Sequence, residues 1–339
     1  MGAGTGKFIQ PLCERRHRGT WFPAGIIRAV THPEHSLTFR EDGKIALAVN
    51  PAASFGRSRG VGDRAAEYFR AAGRAVVVLQ ADGYGSLGKL VEQALAADTQ
   101  VVALVVVGGD GMVHLGVNAL AGLQIPLGII PTGTGNDVAR LLALPLESTV
   151  EACQRVLDAL DAGGRRIDVG RVRACGRTTY FAGVLSAGFD AAVNERANSW
   201  RWPRGKSRYN LAMLRELGSF RRIEYTVIAD GMRWSQAALL ISVANGQSIG
   251  GGMRITPDAL PDDGWLDLFM VKPLSRLKFL SIFPKVFAGK HTGRPEVDIR
   301  RVRSVRLEAE GVVAYADGER LASLPVDVDV LPLALRVLA

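Results

Sequence analysis

Residues 101–107 form an unbroken apolar run rich in valine, and the run stops at Gly108-Gly109-Asp110-Gly111. A strand that is apolar on both faces must be covered on both faces, which requires a parallel sheet between layers of helices. Val113, Val117, Leu120 and Ala121 follow at helical spacing and predict a helix over 113–123. A strand, a glycine-rich turn and a helix start together suit a phosphate. Glycine lets an anion come close to the backbone, and the first N–H groups of the helix point outward as donors.

The surrounding chain repeats this unit. Lys44–Val49 predicts a first strand, which runs into Asn50-Pro51 and a small basic loop through Ser54, Gly56, Arg57 and Arg59. A helix is expected over 63–72 and a strand over 75–79. Gly83-Tyr84-Gly85-Ser86-Leu87-Gly88 matches the dinucleotide fingerprint letter for letter. It follows the second strand and not the first, and the acid about 20 residues on, Asp110, is embedded in a glycine turn, so the match is discounted. A strand over 126–130 ends in Pro131-Thr132-Gly133-Thr134-Gly135-Asn136-Asp137, and a helix is expected over 138–144, capped by Asn136 or Asp137. Two glycine-rich strand-to-helix turns at the carboxyl edge of one parallel sheet predict a shared phosphate site.

After a helix over 151–160 the character changes near residue 165. Alternating strands and hairpin signals take over at 167–172, 178–182, 225–229 and 237–244, with a turn at Asp230-Gly231. The expectation is an α/β chain of two domains. Residues 44–164 would be a nucleotide-binding domain with a parallel sheet, and 165–325 a mainly antiparallel β-sandwich. At 339 residues the length suits two domains. Residues 1–43 have no periodicity and read as a disordered extension. Their Gly2-Ala3-Gly4-Thr5-Gly6-Lys7 lacks the strand, the spacing and the final hydroxyl of a nucleoside-triphosphate loop.

A formal charge of +9 points to an acidic partner. No apolar run approaches the ~18 residues of a membrane span, and no secretory leader is evident. Cys13, Cys153 and Cys175 are scattered without metal-ligand spacing and read as reduced thiols. These features suggest a cytoplasmic protein. Residues 196–222 are basic and carry Trp200, Trp202 and Tyr209, which fits either a membrane interface or a solvated helix with aromatic anchors. Residues 274–287 are also apolar and basic.

Jointly, several segments resemble the diacylglycerol kinase catalytic family in its bacterial soluble lipid kinase branch, which is related to the sphingosine kinases. They are Asn50-Pro51, Gly108-Gly109-Asp110-Gly111, the 131–137 turn, Ser186-Ala187-Gly188-Phe189-Asp190, Asn245-Gly246 through Gly250-Gly251-Gly252-Met253, Pro257-Asp258-Ala259 with Asp262-Asp263-Gly264, and Asp317-Gly318-Glu319. The resemblance covers about residues 44 to 339. It implies an active site in a cleft between the two domains, with a terminal strand within 326–339 returning to the first.

It also implies that ATP is gripped by the loop holding Gly108, Gly109, Asp110, Gly111, Met112 and His114, by the turn holding Gly133, Thr134, Asn136 and Asp137, and by the Asn50 loop. A family magnesium site would map to Asp263 with backbone oxygens of Leu260 and Trp265. The base would lie in Asp317-Gly318-Glu319. Met112 stands where the family usually has threonine, Gln80 where a nucleotide-contacting threonine is common, and Ser54-Phe55-Gly56-Arg57 lengthens the Asn-Pro loop.

Phosphoryl transfer to an alcohol needs held phosphates, Mg²⁺ and a proton acceptor. Asp110 suits Mg²⁺ as a hard oxygen ligand. Glu319 is the first choice of base and Asp317 the second. The expected reaction is ATP-dependent phosphorylation of diacylglycerol to phosphatidate. Another lipid alcohol, such as a sphingoid base, ceramide or glycolipid, is the alternative. NAD kinases and phosphofructokinases share Gly-Gly-Asp-Gly, but the 131–137 turn resembles the lipid family. A silent lipid-binding protein is disfavoured by the retained Asp110, Asp137, Asp263 and Glu319. The expected partner is a membrane lipid, reached by peripheral contact of Arg201, Trp202, Arg204 and Lys206 with an anionic surface. A homodimer is compatible, and nucleic acid is not expected.

Overall fold

The computed structural model describes residues 43–50, 57–81, 83–98, 100–188 and 222–339. The extension 1–42, most of the Asn50 loop and the basic segment with Arg201, Trp202, Arg204 and Lys206 lie outside the described residues, as do Phe189 and Asp190.

Strands β1 (Lys44–Val49), β2 (Ala75–Gln80), β3 (Val101–Gly108) and β4 (Leu127–Pro131) are parallel and lie in the order β2-β1-β3-β4. The order reverses between β1 and β3, so a crevice opens outside the carboxyl ends of those two strands. Asn50 leaves one of them and Gly108 the other. Alternate residues choose alternate faces. Ile45, Leu47, Val49, Val105 and Val107 pack under helices α1 (Arg57–Ala71) and α5 (Thr149–Asp161) with Phe69, Cys153 and Val156. Ala46, Ala48, Leu104 and Val106 pack under α2 (Tyr84–Ala97) and α3 (Asp110–Leu120) with Leu87, Val91 and Leu115. All of β3 is buried except half-buried Val102, and β2, at the edge, is largely exposed.

From β5 (Arg165–Ala174) onward pairing is antiparallel apart from one return. β6 is Arg177–Phe181, β7 Val184–Gly188, β8 Ile223–Ala229, β9 Met232–Ala238 and β10 Leu240–Ala244. β11 is Leu266–Val271, β12 Val297–Val302, β13 Ser304–Glu308, β14 Val313–Ala316, β15 Glu319–Ser323 and β16 Val326–Val337. One sandwich layer runs β12-β11-β10-β7-β14-β15. The other continues the first sheet as β4-β16-β13-β8-β9, with β5 and β6 alongside. Leu185, Ile241, Val243, Leu268 and Ala314 meet Tyr225, Val227, Leu307, Val326 and Val328 between the layers. β16 joins the halves, parallel to β4 at Val337–Leu127 and antiparallel to β5 and β13.

Several sequence expectations change in detail. The strand over 237–244 is two strands in two sheets, β9 and β10, because the chain crosses between layers at Leu239 and its apolar run continues unbroken through the corner. The fingerprint glycines are not a loop. Gly83 precedes α2, Gly85 lies in its first turn, and Gly88 is buried further along it. Helix α3 starts at Asp110, not Val113, so the glycine turn is itself the first turn of the helix.

Candidate active site

The two predicted turns touch. Thr132 N–H donates to Gly108 O at 2.9 Å. A Cβ on Gly133 would lie 2.4 Å from Gly109 Cα, so these glycines are needed for close approach rather than for a special φ. Asn136 has φ 55°, and its side chain closes the second turn by accepting from Gly133 N at 3.1 Å and donating to Gly133 O at 2.8 Å. It therefore does not cap α4 (Asp137–Leu141) with its side chain. Gly133→Ala should push the turns apart and, with the turns in their expected role of gripping ATP, lower kcat/KM for ATP by about 10²-fold, the scale of an ångström of misplacement. Unchanged steady-state kinetics in that variant would show that the two turns do not act as a unit.

The carboxylate that accepts from the N–H groups at the start of α4 comes from another element. Asp110, in the first turn of α3, accepts from Asn136 N and Asp137 N, one on each carboxylate oxygen, both at 2.8 Å. Asp137 passes the connection on. Its oxygens accept from Gly251 N at 2.8 Å and Gly252 N at 2.9 Å, and from Ser248 Oγ at 3.2 Å. Both glycines have positive φ, 85° and 111°, which turns their N–H groups to one carboxylate. Two carboxylates thus tie α3 to α4 and α4 to the second domain. Burial first, and the nearby charge of Asp137 second, push the Asp110 carboxyl up to about 7, against the two N–H donors that hold it down. Burial also raises Asp137, offset by Gly251, Ser248 and Gly252.

The second domain brings a hairpin tip to this place. Ala316 pairs with Glu319, so β14 and β15 are joined by Asp317-Gly318 alone, with φ 48° and 85°. This is the primed turn that suits a right-twisted hairpin. Asp317 accepts from Ala182 N, Gly183 N and Val184 N at 3.0, 2.9 and 3.1 Å. Its side chain is 1% exposed, and Oδ2 lies 3.8 Å from His114 Nδ1. Glu319 is half-buried, and its Oε1 is 2.7 Å from where a Cβ on Gly111 would stand. A half-exposed carboxylate therefore faces the N-terminal turn of α3, and a buried one braces the tip behind it.

The other expected nucleotide contacts divide. Thr134 is exposed at the tip of its turn, and Asn50 is half-buried at the end of β1. Met112 is buried, with its Cγ 2.3 Å from where a Cβ on Gly108 would be, so it packs beneath the turn and offers nothing to a phosphate. His114 is likewise buried, behind Asp317. The sequence reading missed Ser248, and it treated Tyr84 only as a fingerprint letter. Burial, with Glu319 and Asp317 nearby, raises the Tyr84 phenol far above its ordinary range and keeps it neutral.

The residues expected to hold a family magnesium ion do not fit one as placed. Asp263 forms an ion pair with Arg301, and its Oδ1 accepts from Trp265 N at 3.0 Å. Arg301 and Arg303 lie over the Trp265 ring at 5.3 and 4.4 Å, and Leu260 is exposed. The guanidinium already supplies the positive charge that Asp263 would seek. Nearby Asp267 is pushed up to about 6, mainly by burial. Among the described residues no group of three His, Cys, Asp or Glu is placed to hold a metal ion.

Residues 44–172 match the family model described as the diacylglycerol kinase catalytic domain. Residues 183–339 match the YegS C-terminal NAD kinase beta sandwich-like domain. A protein of Mycobacterium tuberculosis named diacylglycerol kinase is 38% identical over 304 residues, 89% of this chain and 97% of that protein. The chain belongs to the diacylglycerol kinase catalytic family. A YegS-like lipid kinase of Pseudomonas aeruginosa is 31% identical, over 79% of this chain and 86% of its own. A diacylglycerol kinase structure from Bacillus anthracis shares the fold, with TM-score 0.63, 22% identity, and coverage of 88% of this chain and 96% of that one.

Membership makes this chain a lipid kinase with ATP as phosphate donor. In this lipid kinase the first of the paired turns leaves β3 at the switch point of the sheet, and the second lies beside it at the end of neighbouring β4.

Proposed function

We propose that this lipid kinase transfers the γ-phosphoryl group of magnesium-bound ATP to the hydroxyl of diacylglycerol, giving phosphatidate. The observation that carries the reading is Glu319, held on the tip of the β14–β15 hairpin against Gly111. It is an unspent carboxylate next to a phosphate-binding helix start.

In this reading the N–H groups at the start of α3 and the 131–137 turn hold the phosphates, with Thr134 and Asn50 at the rim. The acceptor oxygen attacks the γ-phosphorus, the bond to the β,γ-bridging oxygen breaks, ADP leaves, and the hydroxyl proton passes to Glu319. Asp317 holds the tip in place, since its oxygens already receive three backbone N–H groups. Asp110 was expected to hold Mg²⁺. With each oxygen accepting a backbone N–H, we assign it instead to setting the two turns against each other. The ion travels with the nucleotide as part of the substrate. The enzyme would work peripherally, at the cytoplasmic face of the membrane.

Incubation with labelled ATP and Mg²⁺ against a panel in mixed micelles tests the acceptor. The panel is diacylglycerol, a sphingoid base, ceramide, a glycolipid and NAD. Labelled phosphatidate is expected. Labelling of another lipid alcohol in its place would overturn the acceptor, and labelling of NAD alone would overturn the lipid reading for this chain.

A further inference from the structure

Helix α6 (Arg276–Phe287) lies between β11 and β12 and starts at Ser275, whose Oγ accepts from Lys278 N. Its inner side is slight. Ile282 is buried, and Val286 packs with Ile249, Ile255 and Ile299 in a small cluster. Its outer side is apolar and faces solvent. Leu277 is 82% exposed, Leu280 46% and Phe287 47%. With exposed Pro284 they recur at spacings of three, four and three, which is one stripe on a helix. Of the ten large apolar side chains exposed among the described residues, this helix alone carries three. Phe279, Phe283 and Phe287 form a ladder with centroids 5.6 Å apart.

The helix itself carries charge of one sign. The helix contains no acid, and Arg276, Lys278, Lys285 and Lys290 are all exposed. Lys278 pairs with Glu296. At 12 residues the helix is far shorter than the ~20 residues needed to cross a bilayer, and no helix among the described residues is long and apolar enough to do so. Large apolar side chains on one face, with lysines and no acid on the helix itself, suit a helix lying in the plane of an anionic surface. The exposed Lys285 and Lys290 beside the stripe match the negative charge of such a surface.

The position also matters. Val286 O accepts from Arg254 N at 3.2 Å. Gly251 and Gly252, just before Arg254, are the residues whose N–H groups hold Asp137. The last turn of α6 is therefore bonded to the loop that closes the phosphate site.

We propose that α6 docks this kinase onto an anionic phospholipid surface, with Leu277, Leu280 and Phe287 entering the acyl region and Lys285 and Lys290 meeting headgroup phosphates. The inference rests on the lipid-kinase reading for its purpose, and on the exposed stripe for its surface. Sedimentation with sucrose-loaded vesicles of phosphatidylglycerol and phosphatidylcholine, or of phosphatidylcholine alone, tests it. The double variant Leu277→Glu with Phe287→Glu should lose about 100-fold in partitioning to the mixed vesicles. Lys285→Glu with Lys290→Glu should lose about fivefold per lysine, and only on the anionic vesicles. Neither pair should change kcat on a short-chain acceptor dispersed in detergent.

Unchanged partitioning of both double variants would overturn the docking assignment, whatever lipid is phosphorylated. Lost partitioning without phosphorylation of any lipid would keep the docking surface and remove the proposed reaction. If Leu277→Glu with Phe287→Glu splits a dimer in the absence of vesicles and vesicle binding is unchanged, the stripe faces a second copy of the chain and the proposal falls.

Discussion

Glu319→Gln should give a folded protein that binds magnesium–ATP as before and turns over about 10²–10⁴-fold more slowly, the range for loss of a general base. Glutamine keeps the length and shape of the side chain at the hairpin tip and removes its capacity to take a proton. The loss corresponds to about 3–5 kcal/mol of barrier. KM for ATP should barely move, because the proposed phosphate contacts are backbone N–H groups of α3 and the 131–137 turn, not the Glu319 side chain. Asp317→Asn should behave differently. Asparagine keeps one oxygen for the three N–H groups of Ala182, Gly183 and Val184, so the tip should loosen and stability should fall together with rate. Steady-state kinetics beside thermal denaturation separates the two. A Glu319→Gln enzyme with unreduced kcat would remove that residue from the proton transfer.

Asp110→Asn should cost most of the nucleotide affinity and also alter the pH dependence of stability. Asparagine has one oxygen for two donors, Asn136 N and Asp137 N, and its amide group would turn a donor toward the other. A buried donor left in that state costs about 1–3 kcal/mol. That is enough to let the second turn drift from Gly109, and KM for ATP should rise by at least about tenfold.

The pH effect has a definite sign. The Asp110 carboxyl moves from an ordinary 3.8 to about 7 on folding. Between those values the native state binds more protons than the unfolded chain, so this group makes stability fall as pH rises through the window. Asp137 and Asp267 are raised too and act in the same direction. The wild-type urea midpoint should therefore be pulled up at pH 5 relative to pH 7.5, and Asp110→Asn should lose part of that difference. An identical pH slope in the two proteins would mean that Asp110 titrates as an ordinary surface acid.

The sheet was legible because burial on both faces leaves a plain mark: residues 101–107 are apolar throughout, and β3 is buried almost throughout. The glycine turns were legible as turns, since the close approach of Gly109 and Gly133 leaves no room for a side chain. What the acids do was not legible. Asp110 meets its partners 26 and 27 residues later, and Asp137 meets Gly251 and Gly252 more than a hundred residues on. Local spacing carries no trace of such pairs. The same distance hid Arg301, 38 residues beyond Asp263, whose charge changes what that loop can bind. The start of α3 was missed for another reason. Glycine has poor helix propensity, yet Met112 N and Val113 N both bond to Gly109 O, and tertiary packing overrides the preference. Met112, the departure from the usual threonine, packs under Gly108, a contact that its place in the sequence does not reveal.

The strand β16 sets the timetable of biosynthesis. β1 to β4 leave the ribosome early, but β4 gains its next neighbour only when Val326–Val337 arrives. At bacterial-type elongation rates the stretch between Pro131 and Val326 takes roughly 10–40 s to emerge. Throughout that interval the nascent first half carries an open strand edge, the kind of surface that recruits stray strands or a chaperone. One late segment, β16, thus closes the edge of the parallel sheet at β4 and joins it to β5 and β13 of the second half.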